Sequence, residues 1–155
     1  MVCIPEMTAA HLILSNWWKS TGKLPRHADG GEATIERIEQ SYNVKLPEDF
    51  RDYLLELIPD EDFWDSEDVI WWSADRLKNI PEEYEHEITD TRIAASATRY
   101  IFFADYCIWM WAWAICCDEG QDYGKVAMIG GAGQFVANSF TEFVEAYVVD
   151  PFSVS

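Results

Sequence analysis

The run Cys107–Cys117 contains eleven residues, all of them hydrophobic. It is too short to cross a bilayer, which takes about 20 apolar residues in a helix. Within it Trp109, Trp111 and Trp113 alternate with Ile108, Met110, Ala112 and Ala114. A period of two predicts a strand over residues 107–116, with the tryptophans on one face and an equally apolar second face. Such a strand belongs at the centre of a sheet covered on both sides. The rest of the chain therefore has to supply neighbouring strands and covering layers.

The neighbours are legible downstream. Residues 118–122 read as a turn, 125–129 as a strand, 130–133 as a glycine-rich turn and 135–137 as the returning strand, which together make an antiparallel meander. Residues 69–72 and 101–103 are further strand candidates. The covering layers are helical. Thr8 can cap a helix to about Ser20, and Thr34 a second one with Ile35, Ile38 and Tyr42 on one face. Pro47 suits the first position of a third helix, with Glu48 and Asp49 at its positive end and an apolar stripe of Phe50, Tyr53, Leu54, Leu57 and Ile58. Ser73 opens a short helix to Leu77, residues 81–90 are charged and exposed, and residues 91–98 are helical. Ser139–Glu142 is a capping box for a last helix carrying Phe140, Phe143, Val144, Tyr147 and Val148. The fold class expected is α+β, a central, mostly antiparallel meander sheet packed by N-terminal helices and a C-terminal helix, in a single domain over residues 1–155.

Charge sets the function classes. The chain has 28 Asp and Glu against 11 Lys and Arg, a net charge of −17. Residues 56–90 hold 13 of the acids and only Arg76 and Lys78 as bases. Solubility of a small domain asks for a net charge of roughly 2–8 in magnitude. The surplus repels nucleic acid and anionic membranes and favours a basic protein partner. Residues 60–68 concentrate it in an acidic loop around two large aromatics. Asp60, Glu61, Asp62, Phe63, Trp64, Asp65, Glu67 and Asp68 are thus the candidate partner-binding residues, with Phe63 and Trp64 as anchors and the acids as steering charges. Met1–Glu6 lacks the pattern of a signal peptide, and four cysteines without an export signal read as reduced thiols, so the expected location is cytoplasmic.

Catalytic and cofactor chemistry finds little footing. His11, His27 and His86 have no Cys or second His at ligand spacing, so neither a metal nor another cofactor is expected. Residues 130–133 lead into a strand and carry no lysine, unlike a phosphate loop. There is no Gly-x-Ser-x-Gly elbow and no recognisable Cys–His arrangement. The alternating tryptophans offer a second reading, a platform that stacks a sugar or other small ligand, against a core strand that needs no ligand.

Three motifs in order resemble a known superfamily. Ile35 and Glu39 are followed by Leu46-Pro47-Glu48-Asp49-Phe50 and Tyr53-Leu54, similar to the "I-x-x-x-E … L-P-x-D-[YF]-x-x-[FY]-L" opening of SUKH proteins. Phe103–Tyr106 resembles its strand entry, and Ala137–Phe143 its "A-x-S-F-x-E-F" close. The likeness spans residues 34–150, with 1–33 as an N-terminal helical extension. It departs where many members carry an Asn-Gly-rich turn and this chain has Ile58-Pro59-Asp60-Glu61-Asp62. The resemblance implies a non-catalytic binding protein. Many members are immunity proteins that neutralise a cognate toxin, often a nuclease; others are regulatory scaffolds, including cell-wall-assembly regulators. The reading favoured is a cytoplasmic immunity protein that occludes a basic toxin domain with its acidic surface. A regulatory scaffold is the alternative.

Overall fold

The computed structural model describes residues 9–131 and 133–155. Helices α1 (Ala10–Thr21), α2 (Gly31–Tyr42) and α3 (Glu48–Glu56) come first. A hairpin of β1 (Phe63–Trp64) and β2 (Val69–Trp71) follows, then the short helices α4 (Ile80–Glu83) and α5 (Thr91–Ala95). Strands β3 (Tyr100–Tyr106), β4 (Trp111–Cys116), β5 (Val126–Ile129) and β6 (Gln134–Ala137) precede α6 (Phe140–Val149). The six strands lie in sequence order, every neighbouring pair antiparallel. The meander, the α+β class and the C-terminal helix are as the sequence predicts.

One face of the sheet carries Trp71, Phe103 and Trp113. They pack edge-on against Phe143 of α6, at ring distances of 6.4, 5.3 and 5.5 Å. Phe50 and Tyr53 of α3 join the same cluster through Phe140, at 5.2 and 5.1 Å. Helix α1 is built into this layer. Its Trp18 stands 5.0 Å from Phe63 and 5.3 Å from Trp71, and Trp17 stands 5.2 Å from Tyr147 of α6. On the other face Trp72 and Phe102 meet Trp109, which stacks on Tyr84 at 5.6 Å.

Several boundaries depart from expectation for identifiable reasons. Thr8 lies outside the described residues, and α1 has Ala9 at its N-cap position with no side-chain cap. Helix α2 begins a turn before Thr34, because Gly30 adopts a left-handed φ of 82° and starts it at Gly31. Gly31 lies so close to α3 that a Cβ there would sit 2.5 Å from the Leu54 carbonyl oxygen. The cap expected at Ser73 has no side-chain bond, and residues 74–76 form only a 3-10 turn. At Ser139 the N-cap half of the expected box forms, the hydroxyl accepting from the Glu142 N–H at 3.0 Å.

The largest departure is in the apolar run. Residues 107–109 leave the strand as a left-handed turn, with φ of 45°, 56° and 61°, so β4 starts only at Trp111. Trp113 alone of the three tryptophans points into the core between sheet and α6 from within the strand, and is 1% exposed. Trp111 stacks on Tyr106 at 4.5 Å, while Trp109 belongs to the opposite face. The platform of three tryptophans does not exist.

The β4–β5 turn is tied down by charge. Arg92 of α5 and Lys125 donate to Asp122, and Ser96 and Arg99 donate to Asp118. The Ser96 bond and then Arg99 hold the Asp118 carboxyl below its usual range, and the Arg92 bond does the same for Asp122. A lowered folded-state pKa gives stability that is complete above the unfolded value of about 3.9 and lost as pH falls through the folded one. Melting curves should therefore show stability dropping below about pH 4, with a shallower drop in an Asp118→Asn/Asp122→Asn variant.

Candidate protein-binding surface

The acidic segment is a hairpin, not a loop. Phe63 pairs with Trp71 and Trp64 with Ile70, and residues 65–68 make the turn. The cause is Asp65, whose carboxylate is buried. One of its oxygens accepts the N–H of Glu67 at 2.9 Å and of Val69 at 3.1 Å, closing the turn. The other accepts the indole N–H of Trp71 at 2.9 Å and the hydroxyl of Tyr147 on α6. Burial, and then the facing Asp65 charge, push the Tyr147 hydroxyl far above the usual phenol range, so it stays a donor. Asp68 completes the turn with a left-handed φ of 65°, a conformation aspartate tolerates better than most residues.

This geometry divides the eight sequence candidates. Phe63 and Asp65 face inward, at 8% and 7% exposure, so the expected roles of Phe63 as an anchor and Asp65 as a steering charge do not fit. Strand pairing turns alternate residues to opposite faces, which sends Phe63 under Trp18 and leaves Trp64 outside. Trp64 is 49% exposed, and its indole N–H donates to Asp68 at 3.1 Å. Asp60 and Glu61 are exposed, Asp60 opposite an exposed Arg26 at 3.3 Å. Asp62 is exposed but engaged, accepting the Ser73 N–H at 2.9 Å and Arg76 at 2.7 Å. Glu67 is half-buried.

The two bases of the acidic stretch lie among the acids. The Arg76 guanidinium covers the Trp72 ring at 3.9 Å and approaches Asp62, Glu83 and Asp105 at 2.7, 3.7 and 3.9 Å. Lys78 pairs with Glu83 at 3.2 Å. Asp105 is itself buried, accepting the Trp72 indole N–H at 2.6 Å and the Trp109 backbone N–H at 2.7 Å. The outer acids keep a net negative face.

Sequence reasoning missed a second feature beside the hairpin. Because the sheet is a meander, the β1–β2, β3–β4 and β5–β6 turns all emerge at one end. The first two touch, with the Cys107 N–H donating to the Asp68 carbonyl at 2.8 Å. The left-handed turn of the second projects Ile108 and Met110 into solvent, 71% and 60% exposed. Left-handed backbone is an outlier for a β-branched residue, and such strain costs about 1–3 kcal/mol per residue and clusters at functional sites. The Asp105 bond to Trp109 and the Asp68 bond to Cys107 hold the turn in place. No glycine or asparagine in residues 107–110 signals it.

The described residues contain no group of three His, Cys, Asp or Glu side chains placed to hold a metal ion. No helix among them is long and apolar enough to cross a membrane. Cys116 and Cys117 are buried, and burial raises both thiols above the usual range, so neither is a poised nucleophile.

The motif residues have framework roles. Glu39 accepts the Leu46 N–H at 3.0 Å, fixing the α2–α3 connection. Asp49 accepts both the N–H and the hydroxyl of Thr141 at 2.8 Å, joining the start of α3 to the first turn of α6. These bonds fix the scaffold. Its class is that of small α+β proteins of immunity or regulatory kind, generally without catalysis. The model of the SMI1/KNR4 family (SUKH-1) matches residues 31–146, and the chain belongs to that family. No curated protein matches the chain.

Removing the Asp65 carboxylate leaves four donors, three of them buried, without their acceptor. An Asp65→Ala variant should lose about 3–5 kcal/mol, measured by urea unfolding, whereas Trp64→Ala at the exposed neighbour should stay within roughly 0.5 kcal/mol.

Proposed function

We propose that this protein is a non-catalytic, cytoplasmic immunity protein that neutralises a cognate toxin domain by covering its basic cleft. The observation that carries this reading is the exposed acidic hairpin, with Asp60, Glu61, Glu67, Asp68 and Trp64 turned outward on a family scaffold. Carboxylates held on a rigid hairpin mimic the phosphates of a nuclease substrate and steer a basic domain into contact. Trp64 contributes apolar area at little entropic cost, because Asp68 already holds its indole. Asp62 acts from behind, fixing Arg76 and the Ser73 backbone.

The test uses a toxin domain sought in the genomic neighbourhood of this gene, and the absence of one there would itself count against the reading. Asp60→Lys, Glu61→Lys and Glu67→Lys together reverse three charges and spare Asp62 and Asp68, which hold the hairpin. Association measured by surface plasmon resonance should slow about tenfold or more at low salt, and its salt dependence should flatten. Co-expression should then no longer protect cells from the toxin. Unchanged association kinetics would exclude the hairpin as the steering surface.

A further inference from the structure

The end of the sheet next to the hairpin carries an apolar pair inside an acidic border. Ile108 and Met110 stand out from the β3–β4 turn at 71% and 60% exposure. Beside them runs a groove of about 520 Å³, lined by Glu83, Tyr84, Glu85, Trp109, Met110 and Gly130. Its wall is rigid, because Tyr84 stacks on Trp109 with an interplanar angle of 12° and the Trp109 indole donates to Glu83 at 3.1 Å. Glu85 and Glu87 are exposed along its rim, and Asp68 of the hairpin meets the base of the same turn. Protein interfaces place apolar anchors at the centre, within a polar border that excludes water.

We infer that Ile108 and Met110 are the apolar anchors by which this end of the sheet holds a basic protein domain, with the exposed Glu85 and Glu87 as its charged rim. The inference rests on the neutralisation role proposed above and moves the centre of the contact from the hairpin to the adjacent turn. Charge selects this occupant. A second copy of the chain related by a two-fold axis would set the same acidic rim against itself, and an anionic membrane would be repelled. The hairpin acids would govern encounter, while the apolar pair would govern how long the complex lasts.

Binding of a catalytically disabled form of a toxin domain found in the gene's neighbourhood separates these roles. In an Ile108→Asn/Met110→Gln variant the anchors become polar without new charge, and asparagine accepts the left-handed backbone. We expect Kd to rise at least about tenfold through faster dissociation, with the association rate nearly unchanged. Met110→Gln alone, at a residue outside the left-handed stretch, should raise Kd by a smaller factor and guards against a folding artefact. Hydrogen exchange of the complex should show protection at residues 83–87 and 107–110. Wild-type affinity in both variants would overturn the anchor and leave the immunity reading standing. No binding by the unmodified protein would overturn both. Self-association of the free protein that the double variant abolishes would assign the face to a second copy instead, and so overturn the inference.

Discussion

The hydrogen bonds gathered by the Asp65 carboxylate hold the acidic hairpin, and through it the edge of the sheet, to the helical layer. This carboxylate accepts two turn amides across residues 65–68, and it ties β2 to α6 by accepting the Trp71 indole and the Tyr147 hydroxyl. A two-residue β1 is a weak strand on its own, since short hairpins are marginal in water. A buried ionised group is costly unless its lone pairs are filled, and here four donors fill them. Asp49 and Asp105 repeat the device. The first joins α3 to α6, and the second joins Trp72 to the β3–β4 turn.

The aspartates thus serve two purposes that composition cannot separate. A net charge of −17 treats all 28 acids alike. Asp49, Asp65 and Asp105 are hydrogen-bond hubs, the last two buried, and several others lie on the outer face of the same hairpin and the segment behind it. Arg76 marks the boundary, one guanidinium nitrogen lying 2.7 Å from the exposed Asp62 and 3.9 Å from the buried Asp105. The surface field and the internal framework are therefore built from neighbouring residues, and the framework fixes where the field points.

What the sequence revealed followed from how local the cause was. Ser139 and Glu142 are three residues apart, so their cap was legible, as were the meander turns and the stripe of α3. Asp65 was not, because its decisive partner Tyr147 is 82 residues away and nothing near residue 65 announces burial. Phe63 was read as exposed because a two-residue strand has no period to count. The turn at residues 107–109 was hidden by its own composition. Cys, Ile and Trp score as strand, while the left-handed backbone there is held by a bond to Asp105 and a long-range bond to Asp68. The site was therefore half visible: its acids and Trp64 from charge and composition, its apolar pair only from the fold.

The emergence of three turns at a single end of the meander bears on how such a protein diversifies. The side chains of Glu67, Ile108 and Met110 make no hydrogen bond among the described residues, while Asp65 and Asp105 hold the hairpin and the β3–β4 turn that carry them, and Asp49 joins α3 to α6 at the other end of the sheet. Substitution at these tips therefore rewrites the surface at this end without removing a hydrogen bond of the framework.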